Sequence, residues 1–261
     1  MNGTVGDAVE REIDAGGVLL RANLARPANR AGGPGVVRHG LVLCHGFPPG
    51  PRGAATTGLT YPQLADRVAA DAGWDVLTFN FRGTGESGGD FSVGGWMADM
   101  RAAVDDMLSL DDVDGVWLAG FSVGGSLALC VAGEDERVRG VASFAAPADF
   151  GDWASDPRRF VDHARAIGVI HSKEFPADFD TWARELRETR PLTMIGKIPP
   201  RPVLLVHGTE DETVPLMDAR ALADAADGAV ELRVVSGAGH RLRHDPRAVA
   251  VLLGWLDRQH L

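Results

Sequence analysis

Ser122, in Gly120-Phe121-Ser122-Val123-Gly124, is the residue of this chain best placed to act as a nucleophile. A serine hydroxyl attacks weakly near neutral pH. It needs a base within hydrogen-bond reach and an acidic group that fixes the tautomer of that base. The base on offer is His240, in Gly237-Ala238-Gly239-His240, with His244 as its rival. An acid is on offer in His207-Gly208-Thr209-Glu210-Asp211-Glu212-Thr213-Val214-Pro215, where Glu210, Asp211 and Glu212 stand side by side, with Asp149 as a rival. Together these residue types would support attack on a carbonyl carbon and transfer of its acyl group. His45 and His207 also stand at strand ends, where histidines commonly support loops by hydrogen bonding, and both are read as structural. His163 and His171 are read as solvated.

These groups need a scaffold that brings distant segments to one edge. The apolar run Val116 to Phe121 predicts a strand, and Ser126 to Ala132 a buried helix, so Ser122 occupies a sharp strand-to-helix turn. Side chains at positions 120 and 124 would collide with the neighbouring strand and helix, which accounts for the two glycines and pushes the serine into the open. The helix that follows directs unpaired N–H groups at the reaction zone.

The rest of the chain alternates. Weak strands at Val9 to Ile13 and Val18 to Leu24 predict an edge hairpin, followed by a loop at Ala25 to Gly35. Further strands are expected at Gly40 to Cys44, Asp75 to Phe81, Val138 to Phe144, Val203 to Val206 and Val230 to Val235. Helices are expected at Tyr61 to Ala72 with Thr60 as N-cap, at Val93 to Leu110, at Leu216 to Ala226 and after Asp245-Pro246, where Val249, Leu252, Leu253 and Leu256 form the buried face. Met97, Met100 and Met107 are read as core filling. Continuous apolar strands alternating with helices predict a mostly parallel, doubly wound sheet of about eight strands. In such a sheet the loops after the strands emerge on one side, so Ser122, the acidic segment 207–215 and His240 converge.

Between Ala146 and Arg201 the alternation breaks. That length exceeds an ordinary connection, and a helical cap-like insertion over 147–200 is expected, with helices near Pro157 to Ile167 and Ala177 to Glu188. The whole of 1–261 is read as one domain carrying that insertion.

Composition narrows the partners. A formal net charge of −10, with no basic cluster, argues against nucleic acid or an anionic membrane. No stretch reads as a signal peptide or membrane span, so a cytoplasmic protein is expected. The two cysteines, Cys44 and Cys130, read as buried hydrophobes, and no Cys/His cluster suggests a metal; no cofactor is expected. The oligomeric state is left open, a homo-oligomer included.

In its motifs and their order, serine, then acid, then histidine, the chain resembles the α/β-hydrolase superfamily over nearly its whole length, especially small bacterial serine esterases and the dienelactone-hydrolase-like and acyl-peptidase-like branches. The resemblance implies an α/β-hydrolase fold with the insertion after the sixth strand. It places Ser122 at the nucleophile elbow, Asp211 before Val214-Pro215 as the acid and His240 as the base. His45-Gly46-Phe47 matches the oxyanion loop after the third strand, which implies an oxyanion hole of the Phe47 and Val123 backbone N–H groups. Asn80-Phe81-Arg82-Gly83-Thr84-Gly85-Glu86-Ser87 resembles a turn that scaffolds that side of the site. Dienelactone hydrolases use cysteine where this chain has Ser122. The implied activity is hydrolysis of a small-molecule carboxylic ester or thioester through an acyl-enzyme. Alternatives on the same residues are a peptidase or an acyltransferase, and from a different class a non-catalytic binding or scaffold module of the same fold.

Overall fold

A computed structural model describes residues 8–28, 38–51 and 53–260. Its eight strands are β1 (Val9–Asp14), β2 (Leu19–Ala25), β3 (Arg38–Cys44), β4 (Asp75–Phe79), β5 (Val113–Phe121), β6 (Val138–Phe144), β7 (Val203–Gly208) and β8 (Glu231–Val235). They form one sheet in the order β1-β2-β4-β3-β5-β6-β7-β8. The β1–β2 hairpin and the β2–β4 pair are antiparallel, and every pairing from β4 to β8 is parallel. The region 29–37, which holds much of the loop expected before β3, lies outside the described residues.

The helices are α1 (Tyr61–Ala72), α2 (Val93–Leu108), α3 (Val123–Glu134), α4 (Gly151–Ser155), α5 (Pro157–Ile167), α6 (Phe179–Glu188), α7 (Pro191–Met194), α8 (Leu216–Ala225) and α9 (Pro246–Asp257). All of β4 and β7 and nearly all of β3, β5 and β6 are buried, because helices cover both faces. One core joins the sheet to α1 and α9 through Leu41, Leu43, Val68, Trp74, Leu252 and Trp255. The other, against α2, α3 and the insertion, contains Trp96, Met100, Met107, Leu127 and Phe160. The methionines are core residues, as their spacing implied.

The parallel register aligns the strand ends that matter. Cys44 pairs with Gly120, Phe121 with Phe144, Phe144 with Val206, and Gly208 with Val235. The segments beginning at His45, Ser122, Ala145, Thr209 and Ser236 therefore leave the sheet along one edge.

Several expectations shift locally. Thr60 precedes α1 but makes no capping hydrogen bond, because its Oγ1 accepts from Arg243 Nε at 3.3 Å. β4 stops at Phe79, since the Phe81 N–H turns to the His45 ring. β7 runs on through His207 and Gly208. α6 starts at Phe179, where the Asp178 side chain caps the Thr181 N–H. In α9, Trp255 and Ala248 share the buried face and Leu253 is only half-buried. Between β6 and β7 stand four helices, α4 to α7, of which the two short ones, α4 and α7, escape periodicity. Among the described residues, no helix is long and apolar enough to cross a membrane.

Candidate active site

Ser122 has φ 52° and ψ −127°, a backbone conformation that L-residues avoid. Crowding imposes it. A Cβ at position 120 would lie 2.3 Å from the Gly124 carbonyl oxygen, and one at 124 would lie 2.2 Å from that of His45, so strand, turn and helix close only with glycine at both. The Ser122 N–H donates to Phe144 O at 2.7 Å, and Ser122 O accepts from Gly125 N at 2.8 Å as α3 begins. The turn is thereby held from both sides with its side chain half-buried at the sheet edge.

The loops after β7 and β8 are laced together. Thr209 N donates to Val235 O, Glu210 N to Ala238 O, and Gly237 N to Thr209 Oγ1. This brings Asp211 and His240 into contact although 29 residues separate them. Asp211 Oδ2 lies 2.9 Å from His240 Nδ1, and His240 Nε2 lies 3.1 Å from Ser122 Oγ. With Nδ1 protonated and donating to the carboxylate, Nε2 is left as acceptor for the serine hydroxyl.

The Asp211 carboxylate is fully buried. Burial alone would raise its pKa. Hydrogen bonds from His240 and from the N–H groups of Val214 and Thr213 outweigh burial and hold it below the ordinary carboxylate value. Asp211 is therefore an anion at neutral pH. Of the rivals, Glu210 and Glu212 are exposed, and Asp149 accepts from Gly151 N. His244 is exposed on the short helical turn beyond His240.

Val123 opens α3, where its N–H has no intrahelical acceptor. Phe47 lies in the loop after β3, and its N–H is likewise unengaged among the described residues. That loop presses on the turn at Ser122, since a Cβ at Gly46 would stand 2.9 Å from both Phe121 O and Ser122 Cβ. His45 braces it from beneath. Its Nδ1 lies 2.8 Å from Gly46 O, and its Nε2 accepts from Phe81 N at 3.2 Å. Burial lowers the His45 pKa to about 4, so the ring is neutral at physiological pH and supports the loop without carrying charge. His207, equally buried, is 2.9 Å from Val214 O and steadies the acid loop.

Three further supports surround the site. Arg82 is clamped by the buried Asp99, through its N–H at 2.8 Å and its Nε at 2.9 Å, which fixes the turn beside His45. Tyr61 packs edge-on to His45 and lies under the Arg243 guanidinium, 5.4 Å from its ring centre, linking the oxyanion-side loop to the chain just beyond His240. The Phe47 ring meets Trp153 of α4 at 4.9 Å and Phe160 of α5 at 5.6 Å, so the insertion packs on the loop that follows β3. The Arg82 turn carried a sequence signal. The contacts of Tyr61, and those of Phe47 with residues more than 100 positions away, carried none.

Among the described residues, no group of three or more His, Cys, Asp and Glu side chains is arranged to hold a metal ion. Burial raises the Cys44 and Cys130 thiols, which removes both as thiolate nucleophiles.

Residues 41–252 match the sequence pattern of the alpha/beta hydrolase family. The chain belongs to that family. Solved structures with the same fold include Est1E from Butyrivibrio proteoclasticus, 20% identical with a TM-score of 0.69 over 96% of this chain and 97% of that one. The Pyrococcus furiosus esterase Pf2001 is 19% identical with a TM-score of 0.69 over 97% of this hydrolase-family chain and 92% of the other. An alpha-beta serine hydrolase homologue from Coxiella burnetii is 22% identical with a TM-score of 0.63, covering 97% of each. Among curated sequences, the uncharacterized protein YfhR of Escherichia coli O157:H7 is 23% identical over 169 residues, 64% of this chain. The match covers 53% of that protein's own length, about half.

Proposed function

We propose that this alpha/beta hydrolase cleaves a small-molecule carboxylic ester or thioester through an acyl-enzyme on Ser122. The reading rests on the continuous hydrogen-bonded series Ser122 Oγ, His240 Nε2, His240 Nδ1, Asp211 Oδ2, at 3.1 and 2.9 Å.

Ser122 Oγ attacks the acyl carbonyl carbon as its proton passes to His240 Nε2, and the carbonyl π pair moves onto oxygen. The Phe47 and Val123 N–H groups receive that oxyanion, aided by the positive end of the α3 dipole. Asp211 stabilises the imidazolium through Nδ1–H. When the carbonyl re-forms, the bond to the alcohol or thiol breaks, and the leaving group takes the proton from His240. Water then attacks the acyl-serine with His240 as base. A second collapse releases the acid and restores the Ser122 hydroxyl. The chain itself supplies every group in this sequence.

The aromatic rings that the insertion places around Phe47 support an apolar acyl or alcohol portion in the substrate. The test is hydrolysis of short-chain nitrophenyl esters and thioesters, with labelling by a fluorophosphonate. The parent should turn over the esters and take one label on Ser122, and Ser122→Ala should do neither while remaining folded. A Ser122→Ala variant that hydrolyses as fast as the parent refutes the mechanism.

A further inference from the structure

The insertion and the segment leading into it enclose a cavity of about 360 Å³ that contains none of Ser122, Asp211 and His240. Phe150, Leu186 and Leu192 give it apolar walls, and Arg187, Arg190 and Asp149 stand at its rim. Phe150 stacks on Trp153 at 5.4 Å and Trp153 meets Phe47, so two aromatic side chains connect the cavity with the loop beside the nucleophile.

Among the described residues, neither rim guanidinium pairs with a carboxylate, whereas Arg165 and Arg184 of the same insertion pair with Asp162 and Glu188. Arg190 Nε donates to Arg187 O at 3.1 Å, which anchors that side chain and leaves its terminal nitrogens as donors. One oxygen of Asp149 is held by Gly151 N at 2.7 Å. Two arginines and one aspartate give the rim a net charge of about +1, suited to a monoanion rather than a phosphate dianion. A volume at the low end of small-molecule sites suits a single ring or short chain.

We propose that this cavity binds an organic monocarboxylate, its carboxylate on Arg187 and Arg190 and its apolar body against Phe150, Leu186 and Leu192. The site is separate from the hydrolytic centre, and the proposal does not depend on the reaction assigned there. Calorimetric titration of the whole protein with benzoate, and with neutral benzamide as its isostere, tests it. Benzoate should bind one site, with benzamide at least about tenfold weaker, since a charge-assisted pair is worth about a factor of ten or more. Arg187→Gln/Arg190→Gln should weaken benzoate by about tenfold or more. Both side chains are exposed, so the unfolding midpoint and any ester turnover should stay at parent values. His240→Ala should bind benzoate as the parent does. The proposal is overturned if benzoate does not bind at millimolar concentration, if benzamide binds equally well, if the double variant keeps its affinity, or if His240→Ala loses it.

Discussion

Replacing Ser122 by glycine should make this protein more stable than replacing it by alanine, although neither variant has a nucleophile. Both substitutions remove the hydroxyl and its contact with His240 at 3.1 Å, so that loss cancels between them. Alanine keeps a Cβ at φ 52°, ψ −127°, and glycine does not. A residue held in such a region carries about 1–3 kcal/mol of strain. Glycine gives back about 0.5–1 kcal/mol through the greater freedom of its unfolded chain. At the middle of those ranges the net advantage of Ser122→Gly over Ser122→Ala is about 1 kcal/mol. In a chain of this length that corresponds to a melting temperature higher by about 2–4 °C. Urea unfolding followed by circular dichroism, with m-values compared to establish that both variants unfold from the same native state, gives the difference directly. Nitrophenyl ester turnover should be absent in both. A Ser122→Gly variant no more stable than Ser122→Ala would refute the claim that the turn stores strain. Parent-like hydrolysis by either would refute the nucleophile.

Asp211→Asn should keep the fold, since an amide oxygen can still accept from Thr213 and Val214 N–H, but lower kcat by about 10⁴-fold by losing the anion that sets the His240 tautomer; steady-state kinetics reads it. Gly124→Ala forces a Cβ against the His45 carbonyl, so kcat should fall and stability should drop by about 1–3 kcal/mol, measured by turnover and urea unfolding. His45 makes folding sensitive to acid. Its folded pKa of about 4 lies below the ordinary 6.5, so below pH 6.5 the unfolded chain takes up a proton that the native ring refuses. The stability this represents is complete above pH 6.5 and is lost progressively down to about pH 4, about 3 kcal/mol in all. Asp211 is also depressed, but its contribution is present above the ordinary carboxylate value of 3.8 and disappears only below that. Urea unfolding at pH 6.5 and 4.5 should therefore show His45→Gln losing about 2 kcal/mol less than the parent; equal losses would contradict the assignment.

Legibility in the sequence followed the range of the interactions involved. β6 at Val138–Phe144, α1 at Tyr61–Ala72 and α5 at Pro157–Ile167 were readable to the residue, because apolar runs and helical periodicity are local. So was the elbow, whose glycines answer to neighbours a few residues away. The convergence of Ser122, Asp211 and His240 could be inferred because a parallel sheet puts strand ends on one side whatever the side chains do. Short helices such as α4 and α7 offer too few turns for a periodic pattern. The clamp of Asp99 on Arg82 and the diversion of the Thr60 hydroxyl to Arg243 depend on side-chain directions that spacing does not encode. The choice of Asp211 over Glu210 and Glu212 rested on a motif. In the structure it has a physical basis, since of the three only Asp211 receives two backbone N–H groups and the imidazole together.

Phe47 joins these two kinds of information. Its backbone is placed by the end of β3 and by neutral His45, which are sheet-edge features, while its ring is placed by Trp153 and Phe160 from the insertion. The N–H and the ring belong to one residue, so neither can move far alone. A shift of α4 or α5 would carry the Phe47 N–H with it, the group proposed above as an oxyanion donor. The charge developing on a carbonyl oxygen is stabilised in proportion to how little its donors must reorganise. On the proposed mechanism the insertion therefore contributes to the site in two ways, as apolar wall and as the packing behind the Phe47 N–H. The same aromatic series, continued through Trp153 to Phe150, reaches the arginine-rimmed cavity.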